Sequence, residues 1–534
     1  MWFRVTKELN MWTKIFSLRR SLTVSIVLLI ASPAAFSATP TGKITQLPSQ
    51  SEITSDFAIT FSDSAIRTAF KPSFSSLIEY GDSTEYTAVI PSCNEDAISP
   101  CLDKIEFSKD RGVTWSRDSG SISYLAKNFS KNTTLPPGSY SPVTKNWSAD
   151  PSKYLPAGSD IRVFTLPGAK HAGGDQYLVQ TTIRGTSATT SDAAKAGFLD
   201  ITIFPIKVYS APAPNSCSIW LDYCFDVFHF PIDIKIRATL DLKYLAGNFS
   251  GWFQTRMFES VVNQPSKTSY SFEGFPVVVS NARANFTKPF SEELLTQFKE
   301  LRTGLIFGQP YKGTSMDSNA PNTLRDWLKY EKALDSKAFY DSTIWHVVSY
   351  STTIQKNIYQ GMNGCLTNKL GVLGFVSTNA TVYEVSAPSW DNSSKSLSFK
   401  VASPSFDAQG DKNSGVYELS IKQDVAKCLW GETLSGAYAV IEVVDNFGKS
   451  QVATTSFSKK GDWIYFRAYG FHYSSPSIKV KLIEGSEPDT SASPVAAAKN
   501  QSVSVKLSIT CVKGKLVKKV VSFKPKCPTG YKKK

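Results

Sequence analysis

Apolar and polar residues alternate with a period of two along much of this chain, most clearly over residues 232–244. Ile232, Ile234, Ile236, Ala238, Leu240, Leu242 and Tyr244 are apolar, while Asp233, Lys235, Arg237, Thr239, Asp241 and Lys243 between them are polar. Successive side chains of a strand leave on opposite faces, so this stretch can bury only one of them, as strands of antiparallel sheets and sandwiches do. Shorter versions of the pattern occur at residues 199–203, 417–421 and 477–483. Residues 437–444 and 451–457 flank Asp445, Asn446, Phe447, Gly448 and Lys449, and this order predicts a hairpin with a turn that tolerates positive φ.

Helical spacing is confined to the middle of the chain. Ser291 is placed to cap a helix whose stripe is Leu294, Leu295, Phe298 and Leu301, and Leu324, Trp327, Leu328 and Leu334 repeat that spacing after Pro321 and Asn322. Residues 487–500, rich in Pro, Ala and Ser, have no periodicity and read as linker. Beyond them Val503, Val505, Leu507, Ile509 and Cys511 alternate with polar residues, and a return strand after Gly514 would make a small hairpin. The expected fold is mainly β: several immunoglobulin-like β-sandwich domains with a short helical insertion in the middle and a small C-terminal hairpin. The expected divisions are a leader at 1–37, β domains at 38–210, 211–345 and 346–484, a linker at 485–500 and the hairpin at 501–534.

A length of 534 residues fits about three such units. The net charge of +14 is compatible with nucleic-acid binding until it is located. Residues 1–37 carry a net +4 and residues 506–534 carry ten lysines and no acid, so residues 38–505 balance 44 bases against 44 acids. A neutral body has no field to hold a phosphate backbone, and nucleic acid is not an expected partner.

Arg19 and Arg20 precede a run of about ten apolar residues and the small-residue site around Ala35 and Ser37. That order reads as an export signal cleaved after Ser37 or Ala38, with Met11 an alternative start, and the run is too short to span a bilayer. No later segment offers 18 uninterrupted apolar residues, so no membrane span is expected in the mature chain. The even set of eight cysteines then reads as disulfides. Sequence proximity pairs Cys93 with Cys101, Cys217 with Cys224, Cys365 with Cys428 and Cys511 with Cys527. No cysteine has a second Cys or a His two to four residues away, the spacing a zinc site needs.

Ser108, Asp110, Gly112, Thr114 and Trp115 follow the order S-x-D-x-G-x-T-W, and this stretch resembles the Asp-box of sialidases, propellers and other secreted β proteins. What the resemblance implies is a hairpin away from catalysis, with Asp110 accepting turn amides, Gly112 at positive φ and Trp115 across the hairpin. The tail around Cys511, Lys513, Gly514, Lys515, Lys524, Pro525, Lys526, Cys527, Pro528, Gly530 and Tyr531 is similar to a C-terminal element of uncharacterised exported proteins of Gram-positive-type bacteria. Its chemistry stands apart from that likeness. Lys506, Lys513, Lys515, Lys518, Lys519, Lys524 and Lys526 on one short hairpin should hold a polyanion such as teichoic acid or an anionic lipid surface, more weakly as salt rises.

Asp407, Asp411 and Asn413, followed by Gly415, place oxygen ligands at alternating positions, as a calcium loop does, without the distal Glu in register. Calcium is the one cofactor candidate. His171, His229, His346 and His472 are far apart in sequence, and HExxH, GxSxG, Walker and Rossmann patterns are absent, so the sequence names no catalytic set. The expectation is a secreted, cell-surface-associated protein that is not an enzyme and presents a surface for a glycan or protein ligand. The alternative is a carbohydrate-binding or carbohydrate-active protein using tryptophans such as Trp147, Trp220, Trp252, Trp390 and Trp463.

Overall fold

The computed structural model describes residues 40–44, 57–63, 65–66, 75–80, 83–123, 146–188, 195–208, 225–247, 249–300, 313–317, 323–351, 362, 364–366, 369, 371–431, 438–444, 450–451, 453–473, 477–483, 507–513, 516–522 and 532–533. The leader at 1–37, the linker, Cys217, Trp220, Cys224 and Cys527 lie outside them, as do Lys506, Lys515, Lys524 and Lys526. The chain divides into two compact units, residues 1–484 and 485–534.

The first unit is mainly β and is built on a branched 17-stranded sheet. Its main path starts at the edge strand Ser76–Tyr80 and runs through Ser83–Val89, Gln176–Ser187, Lys195–Val208, Tyr340–Ser351 and Ser250–Arg256. It continues through Gly371–Thr378, Ser414–Lys422 and Trp463–His472 to Thr454–Lys460. Along this path the pairing is antiparallel except between Ser250–Arg256 and Gly371–Thr378. A five-stranded sheet contains Cys101–Ser108, Lys235–Asp241, Phe258–Asn263 and Ser269–Phe275, and a six-stranded sheet contains Ser396–Ala402, Tyr438–Val444 and Ser477–Ile483.

Two large cores follow from the alternation. Ile201, Ile203, Phe253, Trp345, Val347 and Phe375 of the large sheet pack with Ile105, Ile236, Ala238, Leu240 and Phe272 of the five-stranded sheet. Trp252, Val348, Val376, Tyr417, Leu419 and Phe466 lie on the other face and pack with Leu397, Phe399, Ile478 and Val480 of the six-stranded sheet. Strands such as Ser250–Arg256 therefore serve two sandwiches at once, Trp252 facing one core and Phe253 the other. Each fully enclosed large side chain contributes about 1.5 to 3 kcal/mol of transfer free energy.

The 232–244 pattern becomes the strand Lys235–Asp241, paired on both sides, with Ile236, Ala238 and Leu240 in the core. Its polar face is covered as well: Lys235 and Thr239 are buried, for reasons given below. The 437–457 hairpin is realised only in its first step. Tyr438–Val444 pairs with Ser450–Gln451, but Thr454–Lys460 leaves for the large sheet and pairs with Trp463–His472. Turn chemistry marked where the chain reverses and could not reveal that it changes sheets.

Helix Glu292–Glu300 begins where Ser291 Oγ accepts the Leu294 amide at 3.2 Å, and helix Thr323–Tyr330 follows in chain order. Leu294, Leu324 and Trp327 pack inward, whereas Leu295 and Leu328 are exposed. A third helix, Gln423–Trp430, is held by a disulfide between Cys428 and Cys365, and Cys93 is bonded to Cys101. Strand pairing spans residues 210 and 345, where domain borders were expected: Asp200 lies opposite Val348 and Ala284 opposite Ile59. The second unit contains a three-stranded sheet in which Leu507–Lys513 pairs with Leu516–Ser522 and with Lys532–Lys533. No helix among the described residues is long and apolar enough to cross a membrane.

Candidate functional site

An open site lies where four strands turn the outer face of the large sheet toward solvent. Tyr86, Ala88, Ile183 and Leu199 point into the core, so Glu85, Thr87, Arg184, Thr186 and Phe198 point the other way. Register gathers them: Ser76 lies opposite Thr87, Ile78 opposite Glu85, Thr87 opposite Arg184, Glu85 opposite Thr186 and Arg184 opposite Phe198. The resulting shallow cleft has a volume of about 280 Å³. Its apolar part is Ile78, 51% exposed, and the Phe198 ring. The Arg184 guanidinium stacks 4.7 Å from the centroid of that ring. Among the described residues neither Arg184 nor Glu85 makes an ion pair, although both are exposed on the same face. A cation over an aromatic ring and a carboxylate without an ion pair are thus exposed together.

The S-x-D-x-G-x-T-W loop does different work. Asp110 accepts the Val113 and Thr114 amides at 3.1 and 2.8 Å and the Ser108 hydroxyl at 2.6 Å, with the Thr114 hydroxyl on its other oxygen. The Ser108 and Thr114 hydroxyl bonds hold its carboxyl well below the usual carboxylate range. Gly112 has φ of +95°, and Trp115 returns its indole N–H to the Gly112 carbonyl at 3.0 Å. The indole lies 3.9 Å from the Arg237 guanidinium, over a ladder in which Glu106 pairs with Arg237 and Lys104 while Glu273 pairs with Lys235 and Arg237. This lid explains why the polar face of Lys235–Asp241 is buried.

The loop proposed for calcium is closed by its own backbone. Asp407 Oδ1 accepts the amides of Gln409, Gly410 and Asp411 at 2.8 to 3.0 Å, and the Asn413 side-chain amide donates to Ser403 and Pro404 at 3.0 Å each. Asp411 is exposed. Among the described residues no group of three or more His, Cys, Asp or Glu side chains is arranged to hold a metal ion.

A buried polar network crosses the large sheet. Arg256 and His346 are cross-strand neighbours, and Asp63 bonds Arg256 Nε at 2.7 Å while Arg256 Nη1 donates to the carbonyls of Thr378 and Ala380, each at 2.7 Å. His346 Nε2 lies 3.2 Å from Asp200 Oδ2. Burial disfavours the Asp63 carboxylate, but Arg256 and His346 outweigh it and its pKa is lowered. Burial likewise disfavours the His346 imidazolium, yet Asp200 and then Asp63 raise its pKa. With Asp63 and Arg256 almost fully enclosed the network offers no face to a substrate.

The other histidines are packed or exposed singly. His171 bonds Gly173 and Gln176 within its own turn, burial pushes His229 down to about 4, and His472 is exposed. Trp252 and Trp463 are buried, while Trp147 and Trp390 are partly buried and spend their indole N–H groups on Pro156 and Asn392. Of the basic tail, Lys513, Lys518 and Lys519 stand on paired strands, opposite Leu516, Cys511 and Thr510. Arg184, Glu85 and Phe198 were not singled out by sequence reasoning; their signal was the outward half of strands whose inward half is apolar. No protein-family model, curated protein or solved structure matches the chain.

Proposed function

We propose that this is an exported, non-enzymatic binding protein of the cell envelope, whose neutral β body presents a recognition surface and whose lysine-rich C-terminal unit adheres to anionic polymer or lipid. The observation that carries this reading is the distribution of charge. Ten lysines and no acid fall within residues 506–534, next to a body of 44 bases and 44 acids. A lysine held near an anionic membrane surface contributes about 1 kcal/mol, so several acting together hold a protein to such a surface. Several of the body's own cations are committed, as in the Glu106–Arg237–Glu273–Lys235 ladder and the Asp63–Arg256 pair. Two disulfides, Cys93 with Cys101 and Cys365 with Cys428, suit an oxidising compartment.

Sedimentation of the full chain with vesicles tests the adhesive part. Vesicles with about a third anionic lipid should carry the protein down at low salt and release it as salt approaches 1 M, because the screening length falls to about 3 Å. Equal sedimentation with uncharged vesicles would contradict the reading.

A further inference from the structure

We propose that the cleft formed by Ser76, Ile78, Glu85, Thr87, Arg184 and Phe198 binds a carboxylate-bearing sugar unit, the carboxylate on Arg184 and ring hydroxyls on Glu85. The inference rests on the reading of the body as a recognition surface and names the ligand class for it. Arg184 is the anchor. Its guanidinium carbon already lies over the Phe198 ring, which limits the side chain's freedom, so its planar fork can meet a carboxylate bidentately with less further ordering. The face of the group away from the ring is open to solvent, and among the described residues no carboxylate of the protein occupies it.

Glu85 decides what the anion must carry with it. Arg184 and Glu85 stand on adjacent strands as diagonal neighbours, through the pairs Thr87 with Arg184 and Glu85 with Thr186. Such neighbours are separated by about 7 to 8 Å. An ionised carboxylate accepts hydrogen bonds only, so the ligand must offer donors a few ångströms from its own anionic group. A phosphate dianion meets Glu85 as a like charge with only one arginine to offset it. A sugar acid presents one negative charge and several hydroxyl donors.

The remaining lining fits the same ligand. Ser76, Thr87 and Thr186 supply hydroxyls that both give and accept, and exposed Ile78 gives the C–H face of a ring an apolar seat. A volume of about 280 Å³ lies at the small end of ligand sites, near about 300 Å³, and suits one ring of a longer chain whose neighbours run out over the open sheet.

The test uses the full chain and a glucuronate-containing oligosaccharide, with the neutral glucose oligosaccharide of equal length as comparison, titrated calorimetrically at about physiological ionic strength, where charges beyond about 8 Å are screened. The acidic oligosaccharide should bind at least tenfold more tightly than the neutral one. R184Q and E85Q should each weaken it at least tenfold while R184K, which keeps charge but loses the fork, falls between. Circular dichroism identifies any variant that fails to fold, and both side chains are exposed. A full chain with Lys506, Lys513, Lys515, Lys518, Lys519, Lys524 and Lys526 changed to glutamine separates the two sites, since it should keep this binding. Equal affinity in R184Q and wild type, loss only in the tail variant, tighter binding of inorganic phosphate or of a free amino acid, or no binding would each overturn the proposal. None of these results alters the vesicle outcome, so the adhesive reading fails or stands separately.

Discussion

Arg256 and His346 show how much of this fold depends on single ionised side chains. Removing a partner from a buried pair leaves the other charge enclosed and uncompensated, which costs about 3 to 5 kcal/mol. R256A should therefore lower the unfolding free energy, read as the shift in urea midpoint multiplied by m, by an amount in that range, and an unchanged midpoint would mean that Asp63 is solvated. His346 makes stability depend on pH. Its folded pKa lies above the ordinary 6.5, so folding takes up a proton there, and the contribution is complete below 6.5 and fades as pH rises through the folded value. Asp63 acts in the opposite sense: its folded pKa is lowered, so its contribution is present above the ordinary 3.8 and is lost only as pH falls through the folded value. Urea midpoints should decline on raising pH above 6.5 in the wild type, and H346Q should lack that decline. Parallel profiles would remove the assigned role of His346.

Strands and loops carry the next set of consequences. Gly112 sits at φ of +95°, and a Cβ there would lie 3.3 Å from the Trp115 ring. G112A should cost more than about 1 kcal/mol, because an L side chain at positive φ is strained and the Trp115 lid must also move. Amide exchange of residues 108–117 should accelerate by tenfold or more, with a smaller change in the strands of the large sheet; uniform acceleration would show that the loop is not an independent latch. This element was readable in the sequence because its chemistry is local: an acceptor, a glycine and an aromatic within eight residues. The strand at 235–241 was readable for the same reason, its alternation needing no knowledge of partners. Spacing placed Leu294, Leu295, Leu324, Trp327 and Leu328 on apolar stripes; Trp327 is buried and Leu294 and Leu324 pack partly buried beside it, while Leu295 and Leu328 are exposed. The cleft was out of reach, since Glu85 meets Arg184 and Phe198 only through pairing between strands about a hundred residues apart, although Arg184 and Phe198 themselves lie opposite each other on consecutive strands.

The whole chain combines a stiff, charge-balanced body with a compact cationic unit after residue 484. Among the described residues, strand pairing crosses positions 210 and 345, because the turn signals report where the chain reverses and are silent on which distant strand it joins. Charge is the property of the whole that the sequence does state outright, and the account of function rests on it. The most direct test is retention of the protein on its own cells after a low-salt wash, comparing the full chain with a full-length variant carrying K506Q, K513Q, K515Q, K518Q, K519Q, K524Q and K526Q. The wild type should stay with the cells and be released by 1 M salt, while the variant should be found in the medium. Equal retention of the two proteins would contradict a tail that holds the body in place.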